Sequence, residues 1–349
     1  MNNFLKLQKK LNNNLNFFFD IKTFTKNKLS KSQEKKFANN IVYDFISLRK
    51  YKNESKFKNV KKINTKKIIY KNFIKDDNVF KNKVFKVLDK FNNIFFKKYI
   101  KEFIIHGSFA TDDYIKNWSD LDTLIILKDS VMKNSKDLIK LRSKIHQIYI
   151  QILKFAPFQH HGLIMISEFD VEHYSGNFMT LEALNHNFNL YKSTKIQFKQ
   201  INEDQSNNAF ESLKSRLFYI KKGIKNGYYD HHVLNKKKLS IPFKTNEETL
   251  WQLFCHIAYV LNFPILFLTI INKSSHKKKS FNIFYKKIKN KNLVLFIKKH
   301  EYFRKKWNDF YDGSYYVNQK IINYFGKNYF NYSAKYLKIL IKKIEEINK

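Results

Sequence analysis

The chain has 349 residues, 43% of them hydrophobic and 17% aromatic, so it can bury a sizeable core and is not a disordered protein. Its formal net charge is +38, but only four of its 67 basic residues are arginines, whose bidentate side chains favour phosphate and base recognition. The single cysteine, Cys255, excludes an intramolecular disulfide and a cysteine-based zinc cluster.

The charge is therefore weak evidence for a nucleic-acid partner. Lysine and asparagine are abundant along the whole chain together with isoleucine, phenylalanine and tyrosine, and this joint bias is typical of an A+T-rich genome. We attribute most of the positive charge to this compositional bias rather than to nucleic-acid binding, although the charge can still attract anionic ligands.

The first 80 residues are rich in lysine and asparagine, and we interpret them as a mainly helical N-terminal extension. A helix is plausible over residues 32–51, and residues 52–78 have the composition of a solvated surface or a linker.

Between residues 81 and 204 the pattern predicts a mixed α/β domain. An amphipathic helix is predicted over residues 79–100, followed by a strand at 103–105, a strand at 120–127, a helix at 135–155 and a strand at 162–167. Such alternation is typical of a mixed sheet with helices packed against it, an α+β or mixed α/β fold.

From residue 205 to 349 the pattern predicts a helical C-terminal domain, with helices at 210–225, 246–261, 291–310 and 329–347. The most apolar run, residues 257–271, is too short to span a bilayer and contains Asn262 and Pro264. No secretory signal core is visible near Met1, so we expect a cytoplasmic protein without a membrane partner.

The chemistry is concentrated in residues 106–127, HGSFATDDYIKNWSDLDTLIIL. Asp120 and Asp122 are two residues apart at a predicted strand, so both carboxylates face the same side and repel each other unless a cation lies between them. Their hard oxygen ligands suit Mg²⁺ or Mn²⁺. One strand earlier, Gly107 allows close approach of a phosphate to the backbone, and Ser108 can add a hydroxyl and an N–H group.

This segment resembles the DNA polymerase β-like nucleotidyltransferase superfamily, whose signature is a Gly-Ser pair followed by an Asp-x-Asp on a strand. Eleven residues separate Ser108 from Asp120, and Ser119 directly before Asp120 also resembles the family. The resemblance implies that Asp120 and Asp122 bind the metal ions and act in catalysis. It also implies that Gly107, Ser108 and Ser119 bind the nucleotide. Because arginine is rare, Arg216 of the helical domain is a further candidate ligand for the nucleotide.

The chain departs from the family at the third strand, GLIMIS, where a third carboxylate is usual and no acid is present. His161, directly before this strand, is the candidate replacement as catalytic base or ligand; Glu168, Asp170 and Glu172 after the strand are alternatives.

The resemblance predicts Mg²⁺-dependent transfer of a nucleotidyl group from an NTP, with ATP the expected donor, to a small molecule, a sugar or a protein. Two alternatives remain open. The first is addition of nucleotides to an RNA 3′ end, and the second is a nucleotide-binding pseudoenzyme without the third carboxylate.

Overall fold

The computed structural model divides the chain into two compact units, Met1–Glu203 and Asp204–Lys349. It describes residues 3–347 with gaps at 21–22, 25–27, 53–56, 75–76, 112, 160–161, 177–178, 202–204, 231–237, 245–248, 272 and 274–276.

The first unit is built around a mixed sheet. Its strands are β1 (Phe57–Lys67), β2 (Ile100–His106), β3 (Asp122–Leu127), β4 (Ile164–Ser167), β5 (Phe188–Asn189) and β6 (Thr194–Ile201). They lie in the order β4-β3-β2-β5-β1-β6. Strand β3 runs parallel to β4 and antiparallel to β2, while β1 runs parallel to β5 and antiparallel to β6. The mixed sheet expected from the sequence is confirmed.

Seven α-helices accompany this sheet within the described part of the first unit: α1 (Asn3–Phe18), α2 (Lys31–Lys50), α3 (Asn78–Leu88), α4 (Ile94–Tyr99), α5 (Asp129–Met132), α6 (Ser135–Ile152) and α7 (Glu168–Glu172). The helix predicted over residues 79–100 is thus two helices, because Asn93 caps a new one by accepting from the N–H of Phe96 at 3.2 Å.

The N-terminal residues form part of this unit rather than a purely helical extension. Strand β1 lies in the segment for which we expected a solvated surface or a linker, and it pairs with β6 over most of its length. Helix α1 packs against α2 and against β4, the strand at one edge of the sheet. One face of the sheet forms a core with residues from β1, β2, β3, β4 and β6, including Ile63, Ile104, Leu124, Ile166 and Phe198.

Helix α1 satisfies the backbone of edge strand β4 through one side chain. Asn16 Nδ2 donates to the carbonyl of Met165 at 2.9 Å, and the N–H of Met165 donates to Asn16 Oδ1 at 2.8 Å. The amide of Asn16 therefore occupies the position that a neighbouring strand would take.

The second unit is mainly helical. Its helices are α8 (Gln205–Asn226), α9 (Leu250–Leu261), α10 (Phe263–Ile270), α11 (Lys277–Lys287), α12 (Lys291–Lys305), α13 (Trp307–Phe310), α14 (Gln319–Phe325) and α15 (Tyr329–Ile347). The strands β7 (Tyr228–Tyr229) and β8 (Leu239–Ser240) form a small antiparallel ladder that the apolar pattern did not predict.

Helices α9 and α10 form an apolar stretch that is longer than the run at residues 257–271. By length and composition alone, Leu250–Ile270 could cross a membrane, but 72% of its most apolar window is buried within the protein. Such burial is typical of helices in a protein core.

Candidate active site

Three strand ends meet at one edge of the sheet of the first unit. Strand β2 ends at His106, antiparallel β3 begins at Asp122, and β4, parallel to β3, begins at Ile164. Antiparallel and parallel pairing together bring the end of β2 and the starts of β3 and β4 to the same edge. The Gly-Ser pair and the two predicted metal-binding aspartates therefore lie at one site.

Gly107 lies directly against Asp122. His106 pairs with Asp122 in the sheet, and the chain then turns into a 3₁₀ helix, Gly107–Ala110. Gly107 has a φ of +66°, and a Cβ there would overlap Oδ2 of Asp122 and lie 2.9 Å from its Cγ. Glycine is therefore required both by the backbone conformation and by the neighbouring carboxylate. The first N–H groups of a helical turn have no partner within it and suit a phosphate.

The two aspartates share one side of their segment. Leu121 and Thr123 are fully buried, whereas Asp120 and Asp122, which alternate with them, are half-buried. This alternation places both carboxylates away from the core. Among the described residues, no group of three or more histidine, cysteine, aspartate or glutamate side chains forms a metal-binding cluster.

Gln159 is a site residue that sequence analysis did not identify. Its side chain is fully buried and binds the peptide groups of Leu121, between the two aspartates. The contact joins residues 38 positions apart, and no local sequence pattern predicts it.

Asp20 is a second residue that the sequence did not single out. A Cβ at Gly162, just before β4, would lie 3.0 Å from the Cα of Asp20. Continuing the β3–β4 register, in which Leu124 pairs with Ile164, brings Gly162 level with Asp122. Burial raises the pKa of Tyr149 well above its ordinary value, and the negative charges of Asp20 and Asp120 raise it further. The turn after α1 thus brings a carboxylate towards the start of β4, the strand that carries no acid.

Arg142 of α6 holds this turn in place. Its buried guanidinium donates to the carbonyl of Phe18, to Thr23 Oγ1 at 2.8 Å and to the carbonyl of Thr23 at 3.0 Å. It also pairs with Glu34 at 3.0 Å and lies 4.0 Å from the ring centroid of Phe24. With all of these contacts inside the protein, Arg142 fixes the turn that carries Asp20.

Ser119 and Arg216 have structural contacts of their own. The buried Ser119 accepts from the N–H of Ile115 at 2.9 Å and so closes the turn before Asp120. Arg216 lies in the second unit, where it donates to the carbonyl of Tyr259 at 3.1 Å and lies 4.4 Å from the centroid of that ring. Nucleotide binding by Ser119 and Arg216 stays a prediction, and His161 lies outside the described residues.

The three acids that follow β4 lie beyond the far end of this strand, at the opposite strand ends of the sheet from Asp122. Glu168 accepts from Lys101 at 2.6 Å, and Lys101 holds the pKa of this carboxyl below its ordinary value against the effect of burial. Asp170 accepts from the N–H of Ser167, the residue that caps α7, and Glu172 pairs with Lys199. A cavity of about 850 Å³ lies beside these ion pairs. These residues therefore surround a different part of the fold from Gly107 and Asp122.

Comparison with known families agrees with this geometry. Residues 88–173 match the family model of the nucleotidyltransferase domain. The chain contains a nucleotidyltransferase domain. The match covers about a quarter of the chain and confirms the superfamily resemblance and the enzyme class inferred from the sequence. The matched range contains Gly107, Ser108, Asp120 and Asp122, whose roles stay predictions. Nucleotidyltransferases of this family generally use divalent metal ions. The comparisons with curated proteins and with solved structures gave no match.

Proposed function

We propose that this nucleotidyltransferase moves an NMP group from an NTP, with ATP the first candidate, to an acceptor hydroxyl and releases pyrophosphate. The proposed acceptor is a small molecule, a sugar or a protein. The observation that carries the proposal is the contact of Gly107 with Asp122, which brings a phosphate-binding turn and a carboxylate pair to one edge of the sheet.

Each residue of the motif has a distinct role in this proposal. Gly107 and Ser108 bind the distal phosphates through the backbone N–H groups and the hydroxyl at the start of the 3₁₀ helix. The carboxylate oxygens of Asp120 and Asp122 are the ligands that Mg²⁺ or Mn²⁺ prefers. Metal ions held by Asp120 and Asp122 would supply positive charge that offsets the charge of the phosphates.

Two other functions compete with this one. Addition of nucleotides to an RNA 3′ end is favoured by the net charge of +38, and it requires RNA binding that weakens steeply as salt rises. A nucleotide-binding pseudoenzyme is favoured by the acid-free strand β4, IMIS.

The decisive experiment is a turnover assay with labelled NTPs and either Mg²⁺ or Mn²⁺. We expect turnover that Asp120→Ala and Asp122→Ala each reduce at least about 100-fold, because each removes a charged metal ligand. Turnover that persists in both variants would show that the site is elsewhere. Nucleotide binding without turnover would support the pseudoenzyme, and salt-sensitive RNA binding with RNA extension would support tailing.

The source of the third catalytic group is tested in the same assay with Asp20→Asn and His161→Ala. If Asp20 acts as the third carboxylate, its neutral variant loses turnover whereas His161→Ala retains it. The reverse result assigns the role to His161, and turnover unchanged in both variants removes both candidates.

A further inference from the structure

The amide of Gln159 takes the place of a strand beside the Asp120-Leu121-Asp122 segment. The N–H of Leu121 donates to Gln159 Oε1 at 2.7 Å, and Gln159 Nε2 donates to the carbonyl of Leu121 at 3.2 Å. One side-chain amide thus binds both peptide groups of a single residue, and the side chain of Gln159 is fully buried.

Leu121 needs such a partner because it lies beyond the regular pairing of β3. The ladder of β3 with β2 ends at the pair of Asp122 with His106, and its ladder with β4 begins at Leu124 and Ile164. A buried peptide group without a hydrogen-bond partner is unfavourable, so the contact with Gln159 selects one backbone conformation at Leu121.

Gln159 is itself held from two directions. Its N–H donates to the carbonyl of Ala156 at 3.0 Å, which closes the turn after α6. Its side chain also hydrogen-bonds with Tyr149, which is fully buried in α6. The backbone contact to Ala156 and the side-chain contact to Tyr149 together hold the Gln159 amide in place.

We propose that Gln159 is a positioning residue that fixes the directions of the Asp120 and Asp122 carboxylates by holding the peptide groups between them. This inference rests on the proposed function, in which these two aspartates bind the metal ions. Partners that orient metal ligands typically change metal affinity by about 10–100-fold when they are removed. The two hydrogen bonds of Gln159 to Leu121 are both to the backbone, so its effect on the metal passes through the two aspartates.

The test measures Mn²⁺ binding by electron paramagnetic resonance in the presence of α,β-methylene-ATP, which cannot transfer its α-phosphate. Gln159→Leu roughly keeps the volume of the side chain and removes both hydrogen bonds to Leu121, and we expect about 10–100-fold weaker Mn²⁺ binding. The matched control is Gln8→Leu, since Gln8 is equally buried and donates to Asp170 Oδ1 at 3.0 Å and to the carbonyl of His173 at 2.7 Å, at the other edge of the sheet. Gln8→Leu should lose comparable stability and keep the wild-type affinity for Mn²⁺.

The outcomes separate this inference from the proposed function. If the wild type binds no Mn²⁺, or binds it equally well after Asp120→Asn and Asp122→Asn, the proposed metal site fails. If the wild type binds Mn²⁺ through the aspartates and folded Gln159→Leu binds it with unchanged affinity, only the role of Gln159 fails. Should Gln159→Leu not fold, Gln159→Asn replaces it, because its amide is one methylene too short to reach both groups of Leu121. The same criterion of weakened or unchanged Mn²⁺ affinity then applies.

Discussion

At the scale of single residues, Gly107 combines two requirements that can be separated experimentally. Alanine at a φ of +66° costs about 1–2 kcal/mol in any protein, and at this position its Cβ would also displace the Asp122 carboxylate. We expect Gly107→Ala to lower the free energy of unfolding by more than this backbone cost and to reduce NTP turnover at least about 10-fold. Urea unfolding and the labelled-NTP assay measure the two effects.

Gly313→Ala is the control for the backbone cost. Gly313 has a φ of +87°, and a Cβ there would have no neighbour within 4 Å. Equal losses of stability in the two variants, with turnover intact in Gly107→Ala, would show that the approach of Gly107 to Asp122 has no functional consequence.

The predictable part of the site is the part encoded locally. Gly107, Ser108, Asp120 and Asp122 lie within 16 consecutive residues, and their side-chain chemistry and strand spacing are visible without a fold. Gln159 and Asp20 could not be found in this way, because their positions depend on the turn after α6 and on the packing of the N-terminal turn. Glutamine and aspartate are common surface residues, and nothing local distinguishes these two.

At the scale of secondary-structure elements, apolar periodicity located β2, β3 and β4, which are largely buried, and missed the more exposed β1 and β6 and the short β5, β7 and β8. Strand β1 has the sequence FKNVKKINTKK, and only Ile63 and Thr65 of it are buried. It is held by pairing with β6 rather than by apolar burial, so its sequence resembles a solvated linker.

The hydrogen bonds between Asn16 and the outermost strand, β4, lead to a prediction about stability. Asn16→Ala removes both hydrogen bonds to Met165, and we expect the free energy of unfolding to fall by about 1–3 kcal/mol. An uncovered strand edge also favours pairing between molecules, so light scattering of a concentrated solution should rise.

Asn13→Ala is the matched control on the same helix. Asn13 is exposed, and its replacement makes the same change in helix propensity without touching β4. If Asn13→Ala and Asn16→Ala were equally stable, the amide of Asn16 would not be protecting this edge.

At the scale of the whole molecule, the helical unit contains a buried histidine that makes its stability depend on pH. His300 is fully buried, with Nδ1 2.7 Å from the carbonyl of Phe296 and Nε2 2.6 Å from the hydroxyl of Tyr329. The carbonyl can only accept, so Nδ1 carries the proton and Nε2 accepts from Tyr329. Burial lowers the pKa of His300 to about 3.

Since this pKa lies below the value of about 6.5 in an unfolded chain, acid protonates the unfolded state first. The free energy of unfolding of the second unit should therefore fall by up to about 1.4 kcal/mol per pH unit below pH 6 and be independent of His300 above pH 7. Urea unfolding monitored by the fluorescence of Trp251 and Trp307, in a Trp118→Phe background, measures this at pH 7, 6 and 5.

His300→Asn removes the titrating group and retains an N–H that can reach the carbonyl of Phe296. The variant should be less stable than the wild type at pH 7, and its stability should change less with pH. An identical slope between pH 7 and 5 in both proteins would assign the acid sensitivity to other groups.

The contact of Asn16 with Met165 joins residues 149 positions apart, and this separation governs the order in which the domain can be assembled during translation. Helix α1 leaves the ribosome long before β4, the strand that it covers, so in the early nascent chain α1 can pack against α2 but its β4-facing side has no partner. The candidate active site can be completed only after β4 has emerged, because Gly162 and β4 form the surface that receives the N-terminal turn and α1. Ribosome-bound chains that end before Met165 should therefore leave the β4-facing side of α1 accessible to chaperones and proteases, and longer chains should bury it.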